Sequence, residues 1–251
     1  MQSQEQPKEQ EQIWKSDDIL AYHRRQLEEP YRSTIHMIRF MKSILPKPQG
    51  EALDVACGTG VNILHMSPEF PGLRWTGVDY AGDKLYPVSR PYFQKANLSP
   101  ELVTGDIYKL TTLFPGRKFP VVLCAHTLIC LPRYEEVVEQ IFSVLDGWLF
   151  ISSLFTDSDI DAHIDVIDYT REDGVRVPQY YNVYSQRRFQ KFCEGLGAQD
   201  FKAQDFEIDI DLPRTTDGRG TYTRTLADGR RLQFTGPVWM PWKYVAVKKV
   251  G

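Results

Sequence analysis

Three aspartates and one glycine-rich turn carry most of the chemistry this sequence can offer. Asp54 lies in the run Ala52-Leu53-Asp54-Val55-Ala56-Cys57-Gly58-Thr59-Gly60, Asp79 closes the run Trp75 to Tyr80, and Asp106 closes Leu102 to Asp106. Glycines let the main chain turn sharply and approach a bound molecule closely. The turn is not a dinucleotide fingerprint, because Gly-x-Gly-x-x-Gly needs a third glycine for helix-to-strand packing and Ile63 stands there. Nor is it a phosphate loop of the Gly-Lys-Ser/Thr type. His126, at the end of Pro120 to His126 with Ala125 beside it, has the side chain for a general base acting on a hydroxyl or amine. It could equally pack beside a ligand through ring and backbone. His163 is a second candidate, with a surface histidine as its plainer reading. An aspartate that follows a strand also commonly caps a turn or helix, and that reading stays open for Asp79 and Asp106.

Alternating elements must position these groups. Apolar residues from Ile13 to Leu45 recur at helical spacing with a break near Pro30, so two helices precede the first strand. Strand-like runs follow at Glu51 to Ala56, Trp75 to Tyr80, Leu102 to Asp106, Pro120 to His126 and Gly147 to Phe155, separated by helical candidates such as Tyr134 to Leu145. Strands alternating with helices predict a doubly wound α/β fold, with helices on both faces of a parallel sheet. Further on, Ser185 to Gly197 predicts an amphipathic helix. Phe206, Ile208, Ile210 and Leu212 alternate with acids and predict a half-exposed strand. Asp228-Gly229 marks a hairpin, and Trp242 to Lys249 a last strand.

The run Asp-x-Ala-Cys-Gly-Thr-Gly, with acids at the ends of the next two strands, resembles motif I and its downstream acids in the class I S-adenosylmethionine-dependent methyltransferases. The likeness spans about residues 52–155. It implies a Rossmann-like, mostly parallel seven-stranded sheet with an antiparallel C-terminal strand, to which the C-terminal hairpin is an elaboration. It also implies S-adenosyl-L-methionine as cofactor. In the family's usual form a glycine stands where this chain has Ala56, a small-for-small change. The resemblance assigns the cofactor to Asp54, Ala56, Gly58, Gly60, Asp79, Tyr80, Asp106, Ile107 and Ala125. Asp54 would help hold the methionine ammonium, Asp79 the ribose hydroxyls, and Asp106 the adenine amino group with Ile107 against the ring. Tyr22 is placed to close over the methionine carboxylate. The Asn-Pro-Pro-Tyr type of motif is absent, which disfavours adenine and glutamine nitrogens as methyl acceptors.

The whole chain agrees with a small-molecule enzyme. Its 251 residues, 42% hydrophobic and 12% aromatic, can bury a full core. A net charge of -3 and a pI near 6.0 leave no overall basic footprint, so nucleic acid is not an expected partner. The four cysteines lack Cys-x-x-Cys spacing, so neither a metal site nor a disulfide framework is expected, and a reducing cytoplasm suits them. No apolar run is long enough to span a bilayer. The expected organisation is a disordered segment 1–12, a helical lid 13–48 and a methyltransferase domain 49–251 with cap elements near 156–186 and 213–241. Tyr31, Tyr180, Tyr181 and Trp239 are the substrate candidates, each with ordinary core packing as its alternative. The expected activity is methyl transfer to an oxygen or nitrogen of a small polar metabolite. The alternatives are a cofactor-binding partner that has lost catalysis, favoured by Ala56 and by Pro120 where relatives carry an acid, and a nicotinamide oxidoreductase.

Overall fold

A computed structural model describes residues 17–166, 179–215 and 220–250. Two helices, Asp17–Glu28 and Arg32–Ile44, flank Pro30 as the spacing predicts. Five strands then alternate with helices: β1 (Gly50–Val55), β2 (Leu73–Asp79), β3 (Glu101–Thr104), β4 (Phe119–Ala125) and β5 (Leu145–Thr156). The short strands β6 (Asp165–Val166), β7 (Gln179–Tyr180) and β8 (Tyr184–Ser185) follow. After them come helix Gln186–Gly195, β9 (Asp200–Asp205), the small strands β10 (Thr221–Thr225), β11 (Arg231–Thr235) and β12 (Val238–Trp239), and finally β13 (Trp242–Lys249).

The main sheet runs β3-β2-β1-β4-β5-β13-β9, with β8 attached to β5. Strands β1 to β5 pair in parallel, and β13 lies antiparallel between β5 and β9. Successive residues of a strand face opposite sides, and the core divides accordingly. Ala52, Val121, Leu123, Phe150, Tyr244 and Ala246 pack with helices Arg32–Ile44, Val61–Met66 and Gly82–Lys95. Leu53, Val122, Cys124, Leu149, Ile151, Val245 and Val247 pack with helices Glu135–Val144 and Gln186–Gly195 on the other face. This is the doubly wound architecture.

Two boundaries differ from expectation. β3 stops at Thr104, and Asp106 instead opens the short 3-10 turn Ile107–Lys109. The alternating run from Phe206 is not a strand: β9 ends at Asp205, opposite Lys243, beside the first residue of its partner β13. Without a partner strand to continue along, the chain lays Phe206 and Ile208 over helix Arg32–Ile44, where Arg32 pairs with Asp209 at 3.1 Å. The hairpin at Asp228-Gly229 forms between β10 and β11, and β12 makes it a three-stranded antiparallel sheet. Ile129, Leu154, Val183 and Met240 form a small separate cluster that ties this sheet and the segment after β5 to the carboxyl edge of the main sheet. No helix among the described residues is long and apolar enough to cross a membrane. No acid, histidine or cysteine cluster suited to a metal ion occurs among them either.

Candidate active site

The turn after β1 is held against β2 by backbone and side chain together. Cys57 donates its N–H to the Val78 carbonyl at 3.0 Å, and Gly58 donates to Asp79 Oδ2 at 2.9 Å. Gly60 closes the turn on the Cys57 carbonyl and, with φ +77°, starts helix Val61–Met66. Gly58 is left-handed too, at φ +57°, and a Cβ there would stand 2.9 Å from His23 Cε1. The His23 ring, from helix Asp17–Glu28, therefore covers the turn.

Ala56 adopts φ +55°. The sequence suggests a simple exchange of small residues at this position, but the structure shows that conformation is at stake. A left-handed alanine costs about 1–2 kcal/mol that a glycine would not. His126 is strained in the same way, at φ +59°. Two non-glycine residues in this region thus follow the carboxyl ends of the adjacent strands β1 and β4. Strain of this kind persists only where surrounding structure enforces it, and it gathers at functional sites.

Asp54 and Asp79 meet beside the turn. Asp79 uses Oδ2 for Gly58 and Oδ1 for the Ala81 N–H at 2.8 Å. Burial still raises its pKa, against the pull of those two N–H groups. Asp54 is 1% exposed, and neither carboxylate oxygen has a hydrogen-bond partner of ordinary geometry among the described residues. Burial and the neighbouring Asp79 push its pKa well up, with only the Asn62 side chain opposing them. A buried carboxylate with so little hydrogen bonding is costly, and the arrangement suits a ligand that brings positive charge and hydroxyl donors. The Thr59 hydroxyl is likewise buried without a partner.

His126 anchors its N–H on the Ser152 carbonyl of β5 at 2.9 Å, and its ring meets Trp242 edge-on at 4.7 Å. Although the residue keeps some exposed surface, its ring is shielded enough that desolvation lowers its pKa to about 4. The imidazole is therefore neutral at physiological pH. Trp242 arrives from β13, across β5, so its pairing with His126 depends on the order of the sheet and not on neighbouring sequence.

The remaining predicted residues are more dispersed. Asp106 caps the 3-10 turn through the Tyr108 N–H at 3.0 Å, and its other oxygen lies 3.6 Å from Lys109. Ile107 is buried, Ala125 is half-buried at the end of β4, and Tyr80 is exposed beyond β2. The side chain of Tyr22 lies outside the described residues. Tyr31 precedes helix Arg32–Ile44, Tyr180 lies in β7, and Tyr181 packs against the small apolar cluster after β5. Trp239 is exposed on β12. His163 lines a cleft of about 590 Å³ with Arg133, Glu135, Asp161 and Arg188, whose charges pair with one another.

A family profile described as a methyltransferase domain matches residues 23–202. An uncharacterized protein of Methanocaldococcus jannaschii is 26% identical over 160 residues, covering 61% of this chain and 40% of that protein's length. Magnesium protoporphyrin IX methyltransferase from Synechocystis, solved with bound S-adenosylmethionine, superposes with a TM-score of 0.59 at 12% identity over 99% of each chain. An S-adenosylmethionine-dependent methyltransferase from Clostridium acetobutylicum superposes with a TM-score of 0.56 at 14% identity, over 89% of this chain and 93% of that one. With the profile covering most of the sequence, the chain belongs to the methyltransferase-domain family.

Proposed function

We propose that the site binds S-adenosyl-L-methionine and transfers its methyl group to an oxygen or nitrogen of a small polar metabolite. The observation that carries the reading is the buried carboxylate of Asp54, which only the Asn62 side chain favours in its charged form, beside Asp79 and a left-handed glycine turn. S-Adenosylmethionine supplies an ammonium, a ribose diol and an activated methyl on a sulfonium. Asp54 takes the ammonium, and Asp79 takes the ribose hydroxyls on the lone pairs left by Gly58 and Ala81. Ala56, Gly58 and Gly60 let the backbone approach, with Tyr22 over the carboxylate. Tyr80, Asp106, Ile107 and Ala125 line the nucleoside. A dinucleotide would instead bring its pyrophosphate against two buried acids, which the charge pattern opposes.

Methyl transfer is an in-line displacement, so the protein's task is alignment, exclusion of water and removal of one proton. His126 is neutral and can accept that proton once the nucleophile has become acidic by bonding the methyl. Its low pKa suits an acceptor hydroxyl, which becomes an oxonium, better than an amine. Tyr31, Tyr180, Tyr181 and Trp239 belong to the cap that selects the acceptor, which draws on the segments 13–48, 156–186 and 213–241.

The test is incubation with methyl-deuterated cofactor and a panel of hydroxyl and amine metabolites, read by mass spectrometry. A labelled product formed together with S-adenosylhomocysteine supports the reading. Cofactor binding with no turnover on any acceptor would favour the non-catalytic partner instead.

A further inference from the structure

The outer face of the small sheet carries a feature that the cofactor site does not use. Register places Tyr222 opposite Phe234 and Phe234 opposite Trp239, so three aromatic side chains form one row across β10, β11 and β12. Tyr222 and Phe234 stack at 5.5 Å with 20° between their planes. Val238, the neighbour of Trp239, packs with Met240 toward the main sheet, so the aromatic row faces away from it.

Two arginines lie on this row. Arg214 stands 5.3 Å over the Tyr222 ring, and Arg224 stands 5.8 Å from Tyr222 and 5.3 Å from Phe234. The nearby acids among the described residues are already engaged: Asp228 with Arg230 at 2.8 Å, Asp211 with Arg231 at 2.8 Å, and Asp209 with Arg32 at 3.1 Å. Arg214 and Arg224 pair with no carboxylate among the described residues. Both line a cleft of about 360 Å³ with Tyr222, Phe234, Gly236 and Pro237. A guanidinium held over an aromatic ring by cation–π attraction still has N–H groups to donate, and these match the geometry of carboxylate or phosphate oxygens.

We propose that this face is an oxyanion-binding site, taking a ligand whose phosphate or carboxylate is joined to a flat apolar body. Arg214 and Arg224 hold the oxyanion, and Phe234 and Pro237 of the cleft lie against the body. The site stands on its own geometry and does not depend on the cofactor assignment.

Titration of the full chain with phenyl phosphate, benzoate and inorganic phosphate, with benzyl alcohol as the neutral control, tests it by calorimetry. Saturable binding of phenyl phosphate or benzoate, tighter than inorganic phosphate and absent for benzyl alcohol, is the expected result; the tighter of the two anions names the oxyanion. Arg224→Ala should weaken it about tenfold or more, with Arg224→Lys retaining part of the loss. S-Adenosylmethionine affinity, measured on the same samples, should not change. Binding that survives Arg214→Ala and Arg224→Ala together, equal binding of benzyl alcohol, or no saturable binding of any anion would overturn the proposal. Loss of cofactor binding in the wild type would count against the cofactor assignment alone.

Discussion

The carboxylate of Asp79 accepts the Gly58 N–H at 2.9 Å, so the acid at the end of β2 holds the glycine turn at the end of β1. Its other oxygen accepts from Ala81, whose N–H is buried, while that of Gly58 is partly buried. The residue assigned to the ribose is therefore also a clamp on the turn.

Asp79→Ala should lose stability and cofactor affinity together. Each orphaned buried N–H costs about 1–3 kcal/mol, and loss of the charged acceptor weakens binding by a similar amount. Thermal unfolding and calorimetry on the variant measure the two effects. An unchanged melting temperature would show that the clamp contributes nothing.

Asp54→Asn should do the opposite to stability. Burial and Asp79 raise the Asp54 pKa, so the folded chain holds that proton more tightly than the unfolded chain. Its contribution is fully present below the ordinary carboxylate range and is lost as pH rises toward the folded value. At neutral pH the asparagine should stabilise the ligand-free protein by about 1–3 kcal/mol while abolishing tight cofactor binding. Urea unfolding at pH 4 and pH 7 would expose the difference, and a destabilised variant at pH 7 would refute it.

Ala56→Gly should relieve the left-handed strain at φ +55°. Offset by the entropy of a glycine, the net gain is about 0.5–1 kcal/mol. Denaturant midpoints at constant slope provide the check.

His23 and His126 are both lowered to about 4 by burial. A lowered histidine binds fewer protons folded than unfolded, so its contribution is complete above the ordinary histidine pKa and is lost as pH falls from there toward 4. Wild-type stability should drop between pH 7 and pH 5, and less so in His23→Gln. The methyl-transfer rate should show no limb near pH 6.5 arising from His126. A limb there that disappears in His126→Gln would place its pKa near the unperturbed value.

Much of the site is legible because it is local. Asp54, Gly58, Gly60 and Asp79 sit at the strand-to-turn boundaries that the alternating apolar runs mark, and those runs also disclose the doubly wound sheet. What is not legible depends on register or on partners remote in sequence. Nothing near Phe206 reveals that its partner strand begins at Trp242, so a convincing alternation belongs to a segment without a ladder. The αL backbone of Ala56 and His126 follows from how β1 and β4 end, not from side-chain type. For Asp106 the sequence leaves capping open as an alternative, because an aspartate after a strand often caps, but the 3-10 turn that it caps is seen only in the structure. Trp242 against His126 and Arg224 over Phe234 arise only once β13 and the small sheet are in place.

The central claim is that two buried acids beside the glycine turn await a cationic, hydroxyl-bearing cofactor. Calorimetric titration of the wild type and of Asp54→Asn with S-adenosylmethionine and S-adenosylhomocysteine, with NAD as control, is the measurement to make. Saturable binding of the first two to the wild type, none of NAD, and binding of both to Asp54→Asn weaker by about tenfold or more are expected. Binding of NAD alone, or equal affinity of S-adenosylmethionine for the wild type and Asp54→Asn, would contradict it.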